Sequence, residues 1–237
     1  MELKNDLSKN FSPKTRLKSS IKFIIIHYTG MQSEIESINR LKSIKSKVSC
    51  HYLVNRKGSV TQMVKDNKIA WHAGKSKWKT FNNLNENSIG IELVNKGHEF
   101  GYQNFSNTQI TSVIKLCRKL KKKYNIKQEN FLGHSDIAPL RKLDPGEKFP
   151  WKRLSKFSLG YWYDNMKKFK FTDPKKIESS FFNNLYKIGY RYFKVGKRSK
   201  DDKLIVKSFQ QRYTPQNISG KIDNKTLRIS QFLAKKL

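Results

Sequence analysis

Cysteine is almost missing from this chain. Cys50 and Cys117 permit at most one internal bridge, which excludes a disulfide scaffold. Long apolar runs are missing too, and no stretch approaches the roughly 20 residues that cross a bilayer. The first twenty residues, MELKNDLSKNFSPKTRLKSS, lack the apolar centre of a Sec signal peptide. With no mark of secretion the default compartment is the cytoplasm, and export to the cell envelope by another route stays open. Acidic residues are scarce: 18 Asp+Glu stand against 50 Lys+Arg, a formal net charge of +32 at pH 7. That imbalance favours an anionic partner such as nucleic acid, anionic lipid or an acidic wall polymer. The basic residues run through every segment and form no single patch, so a solvated lysine face accounts for them equally well.

The 237 residues, 36% hydrophobic and 12% aromatic, suffice for one sizeable core or one domain with a small companion. Residues 1–20 read as a flexible polar tail. Ile24-Ile25-Ile26 form a continuous apolar run after Phe23, the pattern of a strand buried on both faces, and the run ends at His27-Tyr28-Thr29-Gly30. Ser33-x-x-Glu36 resembles a capping box, and Ile35, Ile38 and Leu41 give the following helix an apolar stripe. Cys50 to Asn55 reads as a strand, Arg56-Lys57-Gly58-Ser59 as a turn, and Val60 to Val64 as the returning arm of a hairpin. In the strand from Ser88 to Val94, Ile89, Ile91 and Leu93 share one face and leave Gly90, Glu92 and Val94 on an open one. Ser106-x-x-Gln109 opens a helix whose buried face carries Ile110, Val113, Ile114, Cys117 and Leu120. Together these elements predict an α/β fold, a mixed central sheet flanked by helices, over residues 21–158. Residues 159–176 read as a linker. Residues 177–237 read as a small all-α unit of three helices: one ended by Gly189, one from Leu204 to Tyr213, and one capped by Asp223. Three short helices make a marginal domain, better suited to binding than to catalysis.

Five histidines occur, His27, His51, His72, His98 and His134. A lone histidine is more often a hydrogen-bonded structural residue than a ligand, but position changes that balance. His27 stands where a buried strand ends, His134 lies in the turn-rich Leu132-Gly133-His134-Ser135-Asp136, and Asp144 precedes Pro145-Gly146. Two neutral imidazoles and a carboxylate suit Zn2+ with an open fourth position for water. From spacing alone, other triplets remain open. Lys142 faces the same side as Asp144 in an extended chain and could stabilise an oxyanion. Glu92, on the open face of its strand beside Gly90, could serve as a general base.

Six stretches then follow one another in order. They are Ile24-Ile25-Ile26-His27-Tyr28-Thr29, Ser49-Cys50-His51-Tyr52-Leu53-Val54, Ala70-Trp71-His72-Ala73-Gly74, Ser88-Ile89-Gly90-Ile91-Glu92, Gly133-His134-Ser135-Asp136-Ile137-Ala138-Pro139 and Lys142-Leu143-Asp144-Pro145-Gly146. Together they closely resemble the zinc-dependent N-acetylmuramoyl-L-alanine amidases of the amidase-2 type, whose fold phage amidases and animal peptidoglycan recognition proteins share. The resemblance covers roughly residues 21–155. It implies His27, His134 and Asp144 as zinc ligands, Glu92 and Lys142 as catalytic groups, and His72 beside Trp71 in the substrate groove; His51, on the sugar side, reads as structural more than substrate-binding. The implied reaction is hydrolysis of the amide between the lactyl group of N-acetylmuramic acid and L-alanine of the stem peptide, in peptidoglycan or in anhydro-muropeptides. Phage members carry a catalytic Tyr where Cys50 stands here, which points to the subgroup that uses the Glu. A second resemblance, from Val206 to Tyr213 and Gly220 to Leu227, is to the three-helix peptidoglycan-binding domain. Non-catalytic recognition proteins of the same fold typically lose a zinc ligand, whereas this chain has all three. A nucleic-acid binder, motivated by the charge alone, is a third reading that predicts steep salt dependence and no metal requirement.

Overall fold

The computed structural model describes residues 3–164 and 173–236. Its strands are β1 (Leu3–Asn5), β2 (Ser12–Thr15), β3 (Phe23–Tyr28), β4 (Tyr52–Val54), β5 (Val60–Gln62), β6 (Lys68–Ile69), β7 (Lys77–Trp78), β8 (Phe81–Asn82), β9 (Ser88–Leu93) and β10 (Phe131–Gly133). Its helices are α1 (Glu34–Lys42), α2 (Asn107–Tyr124), α3 (His134–Ile137), α4 (Trp151–Ser155), α5 (Pro174–Ile188), α6 (Asp202–Tyr213) and α7 (Asn224–Lys236). The central sheet runs in the order β1-β5-β4-β9-β3-β10 and is mixed: β4 and β5 pair antiparallel, and the other neighbours pair parallel. The expected α/β architecture is the observed one.

The buried strand β3 sits between β9 and β10, and its alternation splits the molecule into two cores. Ile24 and Ile26 point toward Ile110, Val113 and Cys117 of α2. Phe23 and Ile25 point the other way. α2 begins as its sequence predicts, with Ser106 Oγ accepting the Gln109 N–H at 3.1 Å. The Gln109 side chain, however, donates to Val54 O and Val94 O and so ties the helix to two strands. In α1 the Ser33 cap on the Glu36 N–H is present, but Ile35 is 71% exposed and the packing is carried by Leu41 and Ile38. A nine-residue helix resting on its C-terminal turn leaves its first turn in solvent.

Two expectations are corrected. The segment read as a polar tail, residues 1–20, is built into the fold from Leu3 onward. β1 pairs with β5, and β2 pairs with β6. Asn10 is buried with its amide on Val48 O at 2.7 Å, and Arg16 donates to Asp66 O, Asn85 O and Ser88 O. Hydrogen bonds hold this segment, so hydrophobic periodicity does not reveal it. The second correction concerns the C-terminal helices. All three expected helices are there, with α5 followed by Gly189 at φ +142° and Asp223 Oδ1 capping α7 through the Thr226 N–H at 2.7 Å. They pack on one another, α5 on α7 above all, but their core is continuous with that of the sheet. Phe181, Leu185, Ile205, Phe209, Leu227 and Ile229 pack in one cluster with Phe23, Ile25, Leu132 and Ile137, covering the second face of the sheet. Residues 165–172 of the expected 159–176 linker lie outside the described residues.

Candidate metal centre and active site

β3 and β9 pair in parallel register, with His27 opposite Glu92, so both side chains leave the same face at the carboxyl ends of their strands. β10 delivers His134 from the other side, because the chain turns directly from Gly133 into α3. The loop after α3 returns beneath it, and the Ser135 N–H donates to Asp144 O at 2.9 Å. Three side chains from three elements thereby meet. His27 Nδ1, His134 Nδ1 and Asp144 Oδ2 lie 2.8–3.0 Å from one another, all buried.

The neighbouring hydrogen bonds decide what those three atoms are. His134 Nε2 lies 3.0 Å from Ala73 O, which can only accept, and 3.3 Å from Arg141 Nη2, which can only donate. The Ala73 contact is the shorter and Arg141 Nη2 is already spent on Ala73 O and Lys75 O, so Nε2 carries the proton and Nδ1 is bare. On the other side Ser88 Oγ gives its proton to Leu84 O and so accepts from His72 Nε2 at 3.2 Å. That leaves His72 Nδ1 bare to accept from His27 Nε2 at 3.0 Å, and leaves His27 Nδ1 bare as well. Two imidazole lone pairs and a carboxylate oxygen therefore converge with no proton between them. Such a triangle repels itself unless a cation sits on it, and its donor set fits a three-ligand site for a borderline metal such as zinc. Burial lowers the His27 pKa to about 4, against the opposing pull of Asp144, which keeps the imidazole neutral at pH 7. Burial alone would raise the Asp144 carboxyl, and what holds it down is positive charge on the His134 and His27 side, the place that a bound cation would take between neutral rings.

Glu92 stands next to this triangle. It is 7% exposed, not on an open face as its strand pattern predicts, and its Oε2 has no hydrogen-bond partner among the described residues. Burial first, and then the nearby Asp144 charge, push its pKa well above the usual value, while the Lys142 charge pulls it back. Lys142 is half-buried and lines both cavities that flank the site. One cavity, about 560 Å³, is walled by Trp71, Lys47, Gly74 and Asn85; the other, about 580 Å³, by Tyr28, Met31, His98 and Leu143. They share Val48, His72, His134, Arg141 and Lys142, while His27, Glu92 and Asp144 line the second alone.

The other sequence-derived residues divide. Trp71 lines a cavity wall. His72 also lines both cavities, but its ring is committed to His27 and Ser88 and packs over Gly90, where an added Cβ would fall 2.3 Å from His72 Cγ. His51 stands apart from them. It lines neither cavity, is fully buried, accepts the Gly90 N–H at 3.0 Å through Nδ1, and faces Lys68 O through Nε2. Cys50 is likewise buried, with its Sγ 4.0 Å from Met63 Sδ and its thiol pushed up by burial. Two groups escape the sequence reading. Arg141, adjacent to Lys142, clamps Ala73 O and Lys75 O. His98 links Tyr28 Oη (2.8 Å) to Glu147 Oε2 (3.0 Å) at the rim. Nothing in the local spacing distinguishes either from its many basic neighbours.

Comparison with known proteins follows the same lines. Residues 17–147 match the family model described as N-acetylmuramoyl-L-alanine amidase, Amidase_2. The chain is 32% identical over 234 residues to N-acetylmuramoyl-L-alanine amidase AmiD of Escherichia coli, covering 91% of this chain and 83% of that protein. It is 40% identical over 108 residues to 1,6-anhydro-N-acetylmuramyl-L-alanine amidase AmpD of Haemophilus influenzae, covering 45% of this chain and 56% of that protein. Among solved structures, the E. coli AmiD complex with anhydro-N-acetylmuramic acid-L-Ala-D-gamma-Glu-L-Lys superposes with a TM-score of 0.80 at 31% identity, over 95% of this chain and 92% of that one. The chain therefore belongs to the Amidase_2 family, and it is an N-acetylmuramoyl-L-alanine amidase.

Proposed function

We propose that this amidase is zinc-dependent, with His27, His134 and Asp144 as the ligands, Glu92 as general base and Lys142 as the oxyanion partner. The observation that carries the reading is the convergence of three bare acceptor atoms at 2.8–3.0 Å with both imidazole tautomers fixed from behind. Zinc bound there would supply Lewis acidity, polarising a carbonyl and acidifying water. Glu92, with a raised pKa and a free carboxylate oxygen, takes the proton of the attacking water as its oxygen adds to the lactyl carbonyl carbon. The Lys142 ammonium faces the negative charge that develops on the carbonyl oxygen. Collapse breaks the C–N bond, and the proton held by Glu92 passes to the departing L-alanine nitrogen. Trp71 on one side and Tyr28 on the other bound the groove in which sugar and stem peptide lie across the metal.

The substrate class is an N-acetylmuramyl or 1,6-anhydro-N-acetylmuramyl peptide. Mass spectrometry of products from purified anhydro-muropeptides and from intact sacculi tests this directly. The expected products are a free stem peptide with an N-terminal L-alanine and a muramic acid bearing a free lactyl carboxylate. Cleavage within the peptide or between sugars would overturn the assignment.

A further inference from the structure

Asp136 lies two residues after His134 in α3 and is buried. One of its bonds is local: the Gly133 N–H donates to Oδ2 at 2.8 Å. Its other partners come from the C-terminal half, Tyr190 from the loop after α5 and Arg212 from α6. Tyr190 Oη donates to Oδ1 at 2.6 Å, and the Arg212 guanidinium pairs with Oδ2. Arg212 Nη2 also donates to Phe131 O at 3.0 Å, so one guanidinium spans β10 and α3. Ser208 Oγ donates to Ser135 O at 2.8 Å. Three side chains of the C-terminal half thus hold residues 131, 135 and 136, on both sides of His134 and not at random points of the sheet.

The polar character of this contact is what needs explaining. The apolar cluster between the helices and the sheet already supplies the adhesion. A buried Arg–Asp pair adds little net stability, because desolvating both charges offsets their attraction. What such a pair does supply is direction, and here the direction is toward α3. The guanidinium also lies 3.9 Å over the Trp151 ring, and Trp151 and Pro145 pack against Gly133, the residue before His134. Pro145 follows Asp144, so both ligand segments rest on this one arrangement.

We propose that Tyr190 and Arg212 are positioning residues for the metal site: through Asp136 they fix α3 and so aim the His134 imidazole at His27 and Asp144. The C-terminal helices are then part of the metal centre's construction, whatever else they bind. The inference rests on the metal assignment above. Outer groups that orient a ligand typically change metal affinity by about 10- to 100-fold when removed.

The test measures zinc affinity of the full chain by competition with a chromophoric chelator, together with the visible absorption of the cobalt-substituted protein. Tyr190→Phe and Arg212→Lys are compared with Leu227→Ala, which removes a fully buried apolar side chain from α7. The expected result is a zinc affinity about 10-fold or more weaker, with an altered cobalt spectrum, for Tyr190→Phe and Arg212→Lys. Leu227→Ala should lower the melting temperature of the metal-free protein and leave affinity and spectrum unchanged. The proposal is overturned if folded Tyr190→Phe binds zinc as the wild type does with the same spectrum. It is equally overturned if Leu227→Ala weakens zinc binding as much as the other two. A wild-type chain that binds no zinc would instead bring down the metal assignment, and this inference with it; Tyr190→Phe stays folded enough to read because it deletes a single oxygen.

Discussion

His27 and His51 sit in similar-looking strand contexts, and their roles separate only through their hydrogen-bond partners. His27 hands its Nε2 proton to His72 and keeps Nδ1 bare, whereas His51 spends Nδ1 on the Gly90 N–H. Glu92 is the residue whose environment most exceeds its sequence pattern. As the proposed base it predicts that Glu92→Gln lowers kcat on the order of 10²-fold or more while zinc content stays unchanged, measured by amidase assay and metal analysis on one preparation. A variant with full rate would remove Glu92 from the mechanism. Strand ends and turns single out His27, His134 and Asp144 as candidates, the family resemblance narrows the choice to this triplet, and the structure brings the three together. His51 is held by the Gly90 N–H, the Lys68 carbonyl and Arg16 Nη2 at 2.7 Å, partners that leave no signal in its local spacing.

Elements tell a similar story. β3, β9 and α2 were legible because apolar periodicity set them, and β4 and β5 form the expected hairpin in shortened form. β1 and β2 were not legible, because their place is fixed by backbone pairing and by Asn10 and Arg16. Another polar fixture lies at Asp66, which ties β4 and β5 to α2. Its carboxylate accepts Tyr52 Oη at 2.7 Å, Gln62 Nε2 at 3.2 Å, Lys123 Nζ at 2.7 Å, and the Tyr124 hydroxyl. Burial would raise its pKa, but the bonds from Lys123, Tyr124 and Tyr52 prevail and lower it. A depressed folded-state pKa gives stability that is present above the unfolded value, near pH 4, and is lost as pH falls through the folded one. Asp66→Asn should therefore cost about 1.5–3 kcal/mol in urea unfolding at pH 7. The gap from wild type should shrink below about pH 4. A gap that is constant from pH 7 to pH 3 would contradict the ionic account.

At the scale of the whole molecule, the sheet has two faces and the C-terminal helices are the cover of one. The sequence shows three amphipathic helices but not what their apolar faces meet, since a stripe reads the same against a neighbouring helix or a sheet. A chain ended at Asp164 would expose Phe23, Ile25, Leu132 and Ile137, which are buried in the full chain. Losing that burial costs roughly 6–12 kcal/mol, as much as the stability of an ordinary domain. The truncated chain should be insoluble or melt without cooperativity in calorimetry. A soluble, cooperatively melting fragment with wild-type zinc affinity would show that the helices are an independent module. Of the basic residues behind the net charge of +32, Arg40, Lys47, Arg141 and Lys142 line the groove, and among the described residues no helix is long and apolar enough to cross a membrane.

The most direct measurement of the central claim is titration of zinc into chelator-stripped protein while following release of stem peptide from an anhydro-muropeptide. Activity should be absent without metal, return in proportion to zinc, and saturate at about one equivalent, the stoichiometry of a three-ligand catalytic site. Asp144→Ala should stay inactive throughout. Peptide release that persists in the stripped protein, or in Asp144→Ala, would contradict the account.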